Sequence, residues 1–177
     1  SQEQSINIIE TNNVYYVSPS QGSDISDGTF TAPFKTIQKA INESQSGHTI
    51  FLKEDRYDET NINIDKNVTI QSYSNNVTFE GLEGDCIFNI TATSSANEYV
   101  SINKINFVST QVNNLINTSG LTFMEQCLIY DNQGIADGSG NVTIEYSAII
   151  NQDIDEMPSY NKCWFGTNEE INNATKL

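Results

Sequence analysis

Between Val100 and Ile150, short segments in which apolar and polar residues alternate recur along the chain. Val100, Leu121 and Val142 open three such segments, Ile102, Phe123 and Ile144 follow two places later, and both series advance by 21 positions. Each copy carries a second apolar pair, Ile105 and Phe107, Cys127 and Ile129, Ser147 and Ile149, at steps of 22 and then 20, as though a turn gained and then lost a residue. Alternation over four or five positions marks a strand with one buried face. Copies of roughly 20–25 residues are too short to bury a core alone and must stack on one another. In such a stack corresponding side chains sit about 4.8 Å apart, so like residues form a continuous inner ladder. The pattern predicts a parallel β-helix in which Phe123 points inward between Ile102 and Ile144, and Cys127 lies on the ladder with Ile105 and Ser147.

The flanking sequence extends the same scheme. Residues 1–13 form a polar lead, and Val14–Val17 reads as a strand stopped by Ser18-Pro19-Ser20. A turn-rich loop, Gly22 to Thr29, leads to Pro33, after which Phe34, Ile37 and Ile41 recur at helical spacing, predicting one amphipathic helix over about 33–45. An open β-helix end exposes apolar side chains and unpaired strand edges, so a single helix ahead of the array predicts a cap. Coils are expected over about 49–150, built from three runs per turn, such as Val68 with Ile70, Val77 with Phe79, and Ile87 to Ile90. The step from Val68 to Val100 is 32, which predicts that Thr91 to Tyr99 protrudes as a loop, the expected place for a binding surface. Trp164 and Phe165, within a closing segment 161–166, are expected to plug the second open end, and 167–177 form a tail.

Composition narrows the chemistry. With 8 Lys and Arg against 23 Asp and Glu the net charge is −15, which argues against nucleic acid, an anionic membrane, or a polyanionic substrate not bridged by calcium. No stretch is apolar enough to span a bilayer, and the chain opens on Ser without a signal-like segment, as a mature or excised piece of a longer protein would. Cys86, Cys127 and Cys163 lack metal-ligand spacing and predict no disulfide framework. Asp24 and Asp27 in the early loop are candidate calcium ligands, but two carboxylates fall short of a full calcium shell, and capping of tight turns explains them better. No other cofactor is expected. Of seven Asn-x-Ser/Thr sequons, Asn67, Asn76 and Asn141 stand at strand entrances and are the better glycosylation candidates, whereas Asn89 and Asn117 match across coils and fit a buried amide stack at least as well as a glycan. His48, the only histidine, reads as structural.

Taken together, Tyr15-Tyr16-Val17-Ser18-Pro19, Gly22-Ser23-Asp24, Asp27-Gly28-Thr29 and Pro33 to Ile41 resemble the opening strand, loop and cap helix of the pectate-lyase-like parallel β-helix superfamily, in particular the adhesin-like surface proteins of methanogenic archaea. Asn67 to Ile70 and Asn76 to Gly81 are similar to its first full coil, and Asn161 with Trp164 to Asn168 to its closing motif. That resemblance implies a single-stranded right-handed β-helix, here of about five coils spanning 14–166, and a module at the cell surface or outside the cell. Crossovers between parallel strands are generally right-handed as well. The fold does not specify activity. A lyase needs a strong base and a cationic clamp, yet Arg56 is the sole Arg and Lys104 the only cation between Ile70 and Lys162. A hydrolase needs converging carboxylates, for which Asp131 and Asp137, followed by Asp153 and Asp155, are the candidates. The expected function is therefore noncatalytic: a monomeric module that binds a cell-surface glycan or protein or serves as a stalk segment, with a carbohydrate-active enzyme as the alternative.

Overall fold

The computed structural model describes residues 13–53, 56–74, 77–93, 98–150 and 159–166. After an opening strand β1 (Val14–Val17) and helix α1 (Ile37–Glu43), the chain winds through repeated triplets of short strands. The first coil comprises β2 (Thr49–Leu52), β3 (Arg56–Tyr57) and β4 (Ile62–Ile64), and the second β5 (Thr69–Ser72), β6 (Val77–Glu80) and β7 (Glu83–Ile90). The third holds β8 (Val100–Asn103), β9 (Ile105–Val108) and β10 (Gln111–Thr118), and the fourth β11 (Leu121–Glu125), β12 (Leu128–Tyr130) and β13 (Ala136–Asp137). Two further pairs follow, β14 (Asn141–Glu145) with β15 (Ala148–Ile150), and β16 (Ser159–Asn161) with β17 (Trp164–Gly166). The first strands of the coils form a seven-stranded sheet A in the order β1-β2-β5-β8-β11-β14-β16. The second strands form a six-stranded sheet B, and the third a four-stranded sheet C. Every pairing between these strands is parallel, as stacked coils require. The chain is a parallel β-helix.

The interior is the predicted ladder, with one correction of register. Ile70 pairs with Ile102, Ile102 with Met124 and Met124 with Ile144, so the inward residues of β11 are Thr122 and Met124, both fully buried. Phe123 therefore points outward, opposite Ser101 and Thr143, rather than inward between Ile102 and Ile144. The apolar alternation of Leu121 and Phe123 imitates an inner face, but Thr122 and Met124 fill it equally well. The inner series of sheets A and B then share steps of 22 and 20, and the difference arises between sheets B and C: Phe107 to Ile116 is a step of nine positions, Ile129 to Ala136 a step of seven. The largest inner stack is aromatic: Phe79 lies between Tyr57 and Phe107 at 5.8 and 5.7 Å, and Phe88 meets Phe79 edge-on at 5.7 Å.

Sharp corners permit the stacking. Between sheets A and B the chain turns on one residue in the left-handed region, Lys104, Gln126, Tyr146 and Lys162 in successive coils, with φ of 59, 55, 49 and 52°. Each such N–H still extends the ladder: that of Lys104 donates to the Glu125 carbonyl at 2.9 Å, that of Gln126 to Glu145 at 3.2 Å, and that of Tyr146 to Asn161 at 3.1 Å. Inside this corner, Cys127 donates to the Ile102 carbonyl at 3.5 Å, the Ser147 hydroxyl to Glu145 at 2.8 Å and Cys163 to Ile144 at 3.2 Å. The small residues of this column thus satisfy carbonyls that the turn exposes inward. Burial raises the Cys127 thiol to about 12, so it is a hydrogen-bonding hydrophobe and not a nucleophile.

The cap helix is shorter than the periodicity suggests, Ile37–Glu43 rather than about 33–45. Phe34 is still extended, bridging Val17 in parallel, and Thr36 is the N-cap, its hydroxyl accepting from Lys39 N–H at 3.1 Å. Ile37, Ala40 and Ile41 are fully buried and the helix packs against β1, β2 and β4, so it covers the first coil as expected. At the other end Trp164 pairs with Ala148 in sheet B and is 45% exposed, so it does not plug the coil. The lead through residue 12, the segment 151–158 with Asp153 and Asp155, and the tail from 167 lie outside the described residues.

Two expectations test this register. Phe79→Ala removes the middle ring of a buried stack and should lower stability by about 3–5 kcal/mol, whereas Phe123→Ala should cost less than about 1 kcal/mol, both read from urea unfolding. Gln126→Gly should leave stability unchanged or raise it by up to about 1 kcal/mol, while Gln126→Val should lower it by about 1–2 kcal/mol, since a β-branched residue is strained at this φ.

Candidate functional site

Because inner faces alternate with outer ones, sheet A presents two columns of outward side chains. One runs Val14, Thr49, Thr69, Ser101, Phe123, Thr143, Ser159, and the other Tyr16, Phe51, Gln71, Asn103, Glu125, Glu145, Asn161. The middle of this face is hydroxyls and amides, with the Ser101 hydroxyl donating to Asn103 Oδ1 at 3.0 Å. Beside it, at the entrance of β5, opens a cleft of about 350 Å³ lined by Ser46, Gly47, Asn67, Val68, Thr69, Glu98 and Tyr99. Tyr99 is 40% exposed and rests on the Phe123 ring, with centroids 4.6 Å apart. The outward turn of Phe123 thus braces an aromatic side of the cleft. The opposite side is stiff: Gly47 N–H donates to the Asn67 carbonyl at 2.7 Å, Asn67 N–H to Ser46 Oγ at 3.3 Å, and Asn67 Nδ2 to the Thr93 carbonyl at 3.0 Å. Asn67 Oδ1 is enclosed without a partner among the described residues.

This cleft adjoins the loop between the second and third coils, of which residues 91–93, Glu98 and Tyr99 are described. Glu98 and Tyr99 both line it, at the place where the long step between coils predicts a binding surface.

A second feature of sheet A is less apparent in the sequence. Tyr16, Phe30, Phe51 and Tyr73 gather at its capped end: Tyr16 stacks on Phe51 at 5.5 Å and meets Phe30 edge-on at 5.3 Å, and Tyr73 lies 5.5–6.0 Å from all three. Lys53 Nζ sits 4.1 Å above the Phe30 ring and donates to the Phe30 carbonyl at 2.9 Å. The signal for Phe51 was its position between the inward Ile50 and Leu52. Phe30 joins from a distant loop and carried no such signal.

The other candidates fall into structural roles. Asp24 and Asp27 share a cleft of about 480 Å³ with Tyr15, Ile25, Ser26, Phe34, Lys39 and Glu43. Asp24 Oδ1 accepts from Lys35 and Thr36 N–H, both at 2.9 Å, and Oδ2 from the Thr36 hydroxyl at 3.0 Å, so both oxygens hold the helix start. Glu59 continues the task, accepting from Ile37 N–H at 2.7 Å and Gln38 N–H at 3.3 Å. Asp131 is an exposed left-handed corner residue, φ 52°, within 3.5 Å of the Ser109 hydroxyl, and Asp137 accepts from Gly138 N–H at 2.7 Å at the end of β13. The two occupy different parts of the coil, one at a corner and one in sheet C. Among the described residues no group of three or more His, Cys, Asp or Glu is placed to hold a metal ion. His48 lies against Tyr15, ring centroids 6.0 Å apart. Asn89 donates to Asn63 at 2.8 Å and pairs with Asn117, so the expected amide stack exists but on the outer face of sheet C, not buried. Asn141 is exposed at the start of β14, and Asn76 lies outside the described residues.

The sequence matches the family described as "Protein of unknown function (DUF1565)" over residues 20–129, from the early loop through β12. The chain belongs to that family. The matched span takes in the cap, the Tyr99 cleft and most of sheet A, and ends before β13, so Asp137 lies outside it and Asp131 just beyond it. No curated protein and no solved structure matches the chain.

Glu59 provides a test of the cap. Burial raises its pKa above the ordinary 4.5, against the lowering effect of the Ile37 and Gln38 N–H groups, with Asp24 and Asp58 adding to the rise. A carboxyl raised on folding stabilises the protein fully below 4.5 and loses that contribution as pH climbs through its folded value. The stability of the parent protein relative to Glu59→Gln should therefore fall as pH rises from 4.5, read as paired urea midpoints across a pH series. A difference independent of pH would contradict the assignment.

Proposed function

We propose that this protein is a noncatalytic β-helix module of an adhesin-like cell-surface protein, acting outside the cell and binding carbohydrate through the Tyr99 cleft and the adjoining outer face of sheet A. The observation that carries this reading is the cleft itself, which joins a braced, partly exposed ring to the hydroxyls of Ser46 and Thr69 and the carboxylate of Glu98, from three different chain segments. Sugar recognition needs that combination, a flat apolar surface for one side of a pyranose ring and a few fixed polar groups for its hydroxyls. A protein ligand is less well served, because the rungs beside the cleft are Thr69, Ser101, Gln71 and Asn103 rather than a contiguous apolar core.

The noncatalytic part of the reading rests on where the acids and bases are. General acid–base chemistry needs two groups converging on one bond with suitably placed pKa values. Asp131 and Asp137 serve a corner and a strand end, and Lys104 is itself a corner residue. Calcium is not required, since Asp24 is engaged by the cap.

A glycan array probed with the purified domain tests the proposal. Binding is expected, and Tyr99→Ser should weaken it about tenfold, the effect of losing one stacking ring. No product should form from polygalacturonate or neutral glycans, with or without calcium. Product formation that Asp131→Asn or Asp137→Asn abolishes would replace this reading with an enzyme.

A further inference from the structure

The aromatic group at the capped end of sheet A is not explained by packing of the coil. Val17, Ile50 and Leu52 already fill the inner side of the same strands, with no exposure. On the outer side Phe30 and Tyr73 remain 45 and 52% exposed, next to rungs of hydroxyls and amides on β5 and β8. The rings hold one another in edge-on and stacked contacts, so the group is preorganised without a ligand.

Its place relative to the Tyr99 cleft is fixed by register. The cleft opens at the entrance of β5, beside Asn67 and Thr69, and Tyr73 follows the exit of the same strand, four residues or about 13 Å beyond Thr69 along the strand. The intervening outward residues are Thr69 and Gln71 on β5, flanked by Ser101 and Asn103 on β8, planar amides and hydroxyls at strand spacing. Acid lies beside this strip, with Glu98 in the cleft and Glu125 and Glu145 on the next strands beyond Asn103. A chain of uronates would meet those carboxylates, and a chain of aliphatic residues would bury the amides without partners. An uncharged sugar chain meets neither penalty.

We infer that the Tyr16–Phe30–Phe51–Tyr73 group is a second carbohydrate-stacking station, and that the two stations form one track taking an extended, uncharged polysaccharide across sheet A, along its strands. This deepens the carbohydrate-binding reading of the Tyr99 cleft and rests on it. Two stations on one ligand act as linked sites, so affinity depends on whether a single chain reaches both. A disaccharide is too short to do so.

The test is calorimetric titration of the full chain with neutral β-1,4-linked gluco-, manno- and xylo-oligosaccharides, comparing disaccharides with hexasaccharides. Hexasaccharides should bind at least about tenfold more tightly than disaccharides, and Phe30→Ser/Tyr73→Ser should remove most of that gain. The same double variant should still unfold in one cooperative transition, with its melting temperature lowered by no more than about 5 °C, since it removes half-exposed rings and no residue of the inner ladder. Hexasaccharide affinity that is untouched by Phe30→Ser/Tyr73→Ser but lost in Tyr99→Ser would overturn the second station and leave the cleft reading standing. Tighter binding of oligogalacturonate than of every neutral chain would overturn the ligand class. Absence of binding by every oligosaccharide would overturn both readings.

Discussion

Everything in this fold depends on each coil returning to its starting point one strand spacing higher. In the third to sixth coils the corner between sheets A and B achieves this with one left-handed residue. An L-residue there costs about 1–2 kcal/mol. The ladder hydrogen bond that each corner N–H keeps, together with the thiol or hydroxyl inside the corner, offsets that cost. Coil length varies in the longer connections from sheet A to sheet B of the first two coils, between sheets B and C and in the loop before β8, and sheet A remains in register through seven strands.

That regularity produces the proposed binding surface. An outward side chain on one strand of sheet A is aligned with its counterparts on the next, so chemistry placed on different coils becomes a continuous strip. The longest insertion brings Tyr99 and Glu98 to the entrance of β5, where Ser46, Asn67 and Thr69 already stand, and the cleft results from adding an irregular segment to a regular edge. Binding here needs no moving part among the described residues, because Asn67 is tied on two sides and Tyr99 is seated on Phe123.

The sequence disclosed the architecture because its cause is periodic: inner ladders repeat, and a helix with Ile37, Ala40 and Ile41 on one face has an evident place at an open end. It misled at β11, where Leu121 and Phe123 alternate as convincingly as Thr122 and Met124. A strand with two plausible faces is resolved only by its neighbours. The helix start was misplaced for a similar reason, since Asp24 and Glu59, which decide it, come from loops distant in sequence. That a loop departs from the coil before β8 was legible from the long step between coils. The Tyr16–Phe30–Phe51–Tyr73 group was not, because its members come from two strands, a loop and a strand end that only the coil brings together.

The central claim is that one outer face, that of sheet A, carries recognition. The only Trp, Trp164, lies on β17 in sheet B and serves as an internal reference. Aromatic-ring NMR during titration with a neutral hexasaccharide separates the faces most directly. The account predicts shifts for Tyr99 and Phe123 with the Trp164 indole unmoved. Shifts at Trp164 that leave Tyr99 unchanged would contradict it.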